Sequence, residues 1–128
     1  MSDKEIEQEI QAKGKTAPRV TPDHIESVIH SVSYFTAMDG LLGEAASNCE
    51  PDTRLDEIVF CDEDDSPLAL LTFCVIVLKN GFTVTGESAC ASPENFDAEI
   101  GRKIARENAI NKVWMLEGYL LKQHLSEQ

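Results

Sequence analysis

The stretch LALLTFCVIVLKNGFTVTGES, Leu68 to Ser88, decides the architecture. Leu68 to Leu78 is an almost continuous apolar run, Asn80-Gly81 interrupts it, and Phe82 to Ser88 alternates between apolar and polar residues. An Asn-Gly pair between two such runs is the strongest short-range hairpin signal, because both central residues of a type I′ turn take positive φ. A two-residue loop pairs Lys79 with Phe82, Val77 with Val84 and Val75 with Gly86. Phe73, Val75, Val77, Phe82 and Val84 then share one face, which is expected to be the core. The other face holds Cys74, Ile76 and Leu78 beside Thr83, Thr85 and Glu87, so partial cover is expected there.

Downstream, Ser92-Pro93 has the form of an N-cap followed by a first-turn proline, and Glu94 and Asp97 suit the positive end of a helix dipole. The spacing predicts a helix from about Pro93 to Leu125. Phe96, Ile100, Ile104, Ile110, Trp114, Leu121 and Leu125 fall in one sector at 100° per residue, the stripe expected to cover the hairpin. Gly101, Ala105 and Ala109 form a second stripe, and Met115, Leu116, Tyr119 and Leu120 make the end of the helix apolar nearly all round. Two faces need burial. Packing of the N-terminal helices and self-association through the C-terminal half are the competing solutions.

Upstream, Ser2 with Glu5 makes a capping box, Ile6 and Ile10 recur at helical spacing and Gly14 ends the pattern, giving a short helix from Asp3 to Lys13. Lys15 to Val20 reads as a linker. Thr21-Pro22 opens a second helix to about Phe35, with Ile25, Val28, Ile29 and Val32 at three- and four-residue steps. Asp39 to Arg54 reads mostly as loop and Glu57 to Cys61 as a short strand. The expected fold is α+β: N-terminal helices, an antiparallel β-hairpin or three-stranded meander, and a long C-terminal helix packed on the sheet. Residues 1–20 form the helix and linker, and 21–128 a single domain.

A chain of 128 residues is long enough to bury roughly two-thirds of its unfolded surface without disulfides. Its net charge of −12 is unevenly spread: Met1 to Leu78 holds 5 basic and 16 acidic residues, Lys79 to Gln128 holds 6 and 7. Phosphate binding needs a basic patch, so direct nucleic-acid binding is not expected. The acidic run Asp62, Glu63, Asp64, Asp65 lacks the alternate ligands, glycine and glutamate of an EF-hand and reads as a solvated turn. Cys49, Cys61, Cys74 and Cys90 have no C-x-x-C pair and no histidine close by, so no metal and no cofactor is expected. With no signal peptide or membrane span, a reducing cytosol is the expected compartment.

No catalytic group stands out. Gly86-Glu87-Ser88-Ala89 is not a nucleophile elbow, since Cys90 replaces the second glycine and the serine lies on a hairpin strand. His24, His30 and His124 belong to no triad. Glu107 and Asn111 lie in the apolar stripe, where a carboxylate needs a partner. Glu87, Ser88, Lys103, Arg106, Glu107 and Asn111 are therefore candidates to line a polar cleft. Arg102, Lys103 and Arg106 are the densest basic group and suit an anion, with Phe82 or Trp114 available to stack a base. The plainer alternative is that the basic residues pair with Glu99 and Glu107 on the helix surface and the aromatics are core.

The run from Leu78 to Leu121 resembles a small tailed-phage protein family called gene-49-like or gene-66-like. The shared wording is NGF at Asn80 to Phe82, G-x-S-A at Gly86 to Ala89, PENFD at Pro93 to Asp97, Ile100-Gly101 and W-x-LEGYLL at Trp114 to Leu121. APRVTPDHIE, Ala17 to Glu26, resembles the family upstream, while Asp39 to Pro67 lies outside the shared wording. The resemblance implies a phage or prophage accessory protein made in the bacterial cytoplasm and brings no chemistry with it. The expected function is non-enzymatic binding of a host or phage protein, with Asp62 to Asp65 in the recruiting surface. A nucleotide-sequestering small-molecule binder and an acidic nucleic-acid mimic are the alternatives.

Overall fold

In the computed structural model, residues 2–15, 17–48 and 67–128 are described. The predicted strand at Glu57 to Cys61 and the acidic run Asp62 to Asp65 lie outside them. The elements are α1 (Asp3–Ala12), α2 (Pro22–Ser27), β1 (Ile29–Thr36), α3 (Ala37–Ser47), β2 (Leu71–Leu78), β3 (Thr83–Ala89) and α4 (Ala98–Ser126). Short 3-10 turns at Pro67–Leu70 and Pro93–Asn95 precede β2 and α4. The strands form one antiparallel sheet in the order β1-β2-β3, and α4 lies across β3 and β2. This is the α+β architecture expected from the sequence.

The predicted second helix is less than half its expected length. α2 stops at Ser27, and Ile29–Thr36 is an edge strand rich in β-branched and aromatic residues. Helical spacing of Ile25, Val28, Ile29 and Val32 conceals this switch, and strand pairing with β2 settles it. The Val28 carbonyl accepts from Lys79 N–H at 2.9 Å, and a bulge between Ile29 and Ser31 adjusts the register. The predicted loop at Asp39 is also helix: Thr36 and Asp39 form a reciprocal capping box that starts α3.

The hairpin exists, but one residue out of the predicted register. Leu78 N–H donates to the Phe82 carbonyl at 2.8 Å, leaving Lys79, Asn80 and Gly81 as a three-residue loop. Gly81 alone takes positive φ, at 90°, and Asn80 Oδ1 accepts from Phe82 N–H. That is the pattern of a turn closed by one left-handed residue, not a type I′ turn. Val77 therefore faces Thr83, Ile76 faces Val84 and Cys74 faces Gly86. A one-residue slip exchanges the faces of a strand. Cys74 and Ile76 are wholly buried and Leu78 nearly so, whereas Phe73, Val75 and Val77 lie half-buried on the opposite face and Phe82 is 56% exposed.

α4 is inverted in the same sense. Gly101, Ala105, Ala109, Ile110 and Val113 are its buried residues, so the small-residue stripe meets the sheet, and Ile100 and Ile104 are exposed. Its N-cap is Asp97, which accepts from Ile100 N–H at 3.1 Å, because the chain is extended at Phe96 after the Pro93–Asn95 turn. The core is completed by Ile25 from α2, with Val20, Val28, Ile29, Val32 and Trp114 packed around it.

The sheet and α4 touch closely at Gly86. A Cβ there would lie 2.1 Å from the Ala105 carbonyl oxygen and 2.4 Å from the Ala109 nitrogen, both backbone atoms of a helix. Gly86→Ala is expected to lower unfolding stability by about 3 kcal/mol, the upper end of the usual overpacking penalty, as measured by urea denaturation. Gly118→Ala, where the added carbon meets nothing within 4 Å, is expected instead to gain up to about 1 kcal/mol of helix propensity.

Candidate functional site

Three surfaces carry exposed chemistry, and the first lies where α1 docks on α4. Trp114 Nε1–H donates to Asp3 Oδ2 at 3.1 Å, and Arg19 grips Glu7 through both guanidinium nitrogens. An indole N–H on a helix needs an acceptor, and the α1 carboxylates supply it. Between the two helices a pocket of about 300 Å³ is lined by Ile6, Ile10, Val20, Pro22 and Trp114 with Asp3, Glu7 and Asn111. The Arg19 bond holds the Glu7 carboxyl below the usual carboxylate range. Nearby, His24 Nε2 and Glu117 Oε2 lie 3.0 Å apart, tying α2 to α4. Neither Asp3 nor Arg19 has a sequence signature; the single Trp114, with a donor to satisfy, is the one clue to this contact.

The second surface holds the residues singled out from sequence, and α4 divides them between its two sides. Asn108 Nδ2 donates to the Glu87 carbonyl at 2.8 Å on the β3 side. Arg106 donates to both oxygens of Glu26 at 3.1 and 3.3 Å, on the side where it and Arg102 influence Tyr34 of β1. Lys103 pairs with Glu99 one turn earlier. Glu107 and Asn111, expected within the buried stripe, are exposed, because the sheet packs on Ala105 and Ala109 instead. Strand alternation puts the exposed Glu87 and the half-buried Ser88 on opposite faces of β3. Burial pushes the Cys74 thiol up, and Arg106 offsets part of that shift; burial likewise raises Tyr34.

The third surface is the hairpin tip. Phe82, Thr83, Val84 and Thr85 face Lys112, Met115 and Leu116 across an open groove of about 450 Å³. Met115 and Tyr119 are 73% and 75% exposed, and Leu120 is 48% exposed. Among the described residues no group of three His, Cys, Asp or Glu side chains is placed to hold a metal ion, and no helix is long and apolar enough to cross a membrane.

These features define a small α+β domain: a three-stranded antiparallel sheet backed by one long helix that outruns it. The family model described as Phage protein (N4 Gp49/phage Sf6 gene 66) family matches residues 20–125, so the chain belongs to this phage protein family. The match runs through 39–67, which the shared wording alone leaves out. No match was found among curated proteins or solved structures.

The α1 contact makes Trp114 a reporter. Arg19→Ala is expected to release α1 and shift Trp114 fluorescence to longer wavelength while far-ultraviolet circular dichroism keeps the sheet and α4 signal. Glu7's folded pKa lies below its unfolded value, so its contribution is present above the ordinary carboxylate range and lost as pH falls through the depressed value. An acid titration of wild type is therefore expected to reproduce the same red shift before the core unfolds.

Proposed function

We propose that the protein is a non-enzymatic phage accessory protein that captures a host or phage protein through a basic surface on that partner. The observation that carries this reading is the segregation of charge. Residues 1–78 hold a net −11 and residues 79–128 a net −1, and the described acidic side chains Glu5, Glu9, Asp23 and Glu44 are all exposed on α1, α2 and α3. Docking of α1 through Asp3 and Glu7 uses two carboxylates and leaves Glu5 and Glu9 exposed, Glu5 capping the Ser2 N–H and Glu9 beside Lys13. Like charges held together on a folded surface repel one another, and a complementary partner relieves that repulsion while its approach is accelerated.

The basic residues of α4 support this reading over an anion site, since Arg106 and Lys103 are engaged by Glu26 and Glu99. Tagged wild-type protein incubated with host lysate at low salt is expected to recover a partner, identified by mass spectrometry, that is lost as ionic strength rises. Replacing Glu5, Glu9 and Asp23 together by their amides is expected to cut that recovery at least several-fold. Recovery unchanged by both the triple variant and salt would sink the proposal.

A further inference from the structure

We infer that the protein pairs with a second copy of itself, the overhanging halves of two α4 helices docking antiparallel about Tyr119 and Leu120. This surface is separate from the acidic one, and neither reading depends on the other.

The overhang follows from lengths. An α4 of 29 residues spans about 43 Å at 1.5 Å per residue, whereas an eight-residue strand spans about 26 Å. Burial along α4 accordingly ends at Val113. At 100° per residue, Lys112, Leu116, Tyr119, Gln123 and Glu127 lie on the same side as Ala105 and Ala109. The side of the helix that packs on the sheet thus continues beyond it, changing from alanine to larger apolar residues and ending at Glu127. Larger side chains suit a helix partner at 8–10 Å rather than the tight approach made over Gly86.

Charge selects a second copy as the occupant. An acidic chain of net −12 can meet itself cheaply only where its own charge vanishes, and residues 112–128 hold Lys112 and Lys122 against Glu117 and Glu127. A two-fold axis between Tyr119 and Leu120 sets Leu116 beside the partner's Gln123 and Lys112 beside the partner's Glu127. Lys112 makes no ion pair among the described residues, and this arrangement brings it to the negative end of the partner helix dipole, twice in each dimer. Phe82 and Met115, which line the hairpin-tip groove, flank the same contact and extend it.

Light scattering coupled to size exclusion tests the pairing on the full chain. Wild type is expected at twice the 14.1 kDa chain mass, and Tyr119→Glu, an exposed position whose change leaves the melting curve cooperative, at the single mass. Lys112→Glu and Glu127→Lys are each expected to weaken the dimer several-fold, and the double exchange to restore it. A monomeric wild type at high micromolar concentration overturns the inference, as does a dimer that survives Tyr119→Glu or a double exchange that fails to recover. If a monomeric wild type still captures a salt-sensitive partner from lysate, the self-pairing falls while the proposed function stands.

Discussion

The approach of α4 to Gly86 is the contact on which the rest of the structure depends. With no side chain on Gly86 and only methyl groups at Ala105 and Ala109, backbone meets backbone, and the helix is held tightly against the centre of β3. Gly101 repeats the arrangement against Thr72, whose Oγ1 would lie 3.1 Å from an added carbon. A close helix axis leaves no room for large side chains between it and the sheet. The sheet supplies the bulk instead, through Cys74, Ile76, Leu78 and Val84, and α2 closes the side with Ile25. The large residues Ile100 and Ile104 are displaced to the exterior for the same reason.

That seam ends where the strands end, and α4 does not. The two halves of the helix therefore live in different environments: Gly101 to Val113 is a buried wall, and Trp114 to Ser126 contains no buried residue. α1 reaches across to the second half through Trp114 and α2 through Glu117, so the N-terminal elements cover one flank of the overhang and leave Met115, Leu116, Tyr119 and Leu120 uncovered. The acidic character stays on the opposite part of the chain. Among the described residues, exposed carboxylates lie on α1, α2 and α3, whereas the overhang of α4 is nearly neutral and apolar.

Local chemistry was legible wherever it depended on near neighbours. The Ser2–Glu5 capping box and the Thr21-Pro22 helix start are read from adjacent residues and found in place, as is the chain reversal around Asn80-Gly81, though not its turn type. The Thr36–Asp39 box is equally local, but Gly40 and Gly43 inside α3 lower the helix propensity that would reveal it. β1 was hidden because a run that starts with helical spacing passes into a strand at Ile29, and only the hydrogen bonds to β2 make the distinction. The Asp3–Trp114 bond spans 111 positions, and no local signal connects such residues.

Residue order alone is enough to show that two strands fold back around Asn80-Gly81, that a long helix follows them, and that acidity gathers in the first part of the chain. The wording of the chain also resembles the phage protein family whose model it matches. Which faces lie inside is settled by packing in three dimensions. β2 is apolar on both parities and α4 has apolar residues on more than one side, so periodicity alone cannot rank the faces. The choice belongs to a three-residue loop that shifts the register by one position and to a glycine that lets a helix come close. Both act across the sheet rather than along the chain, and for that reason the core is a property of the fold.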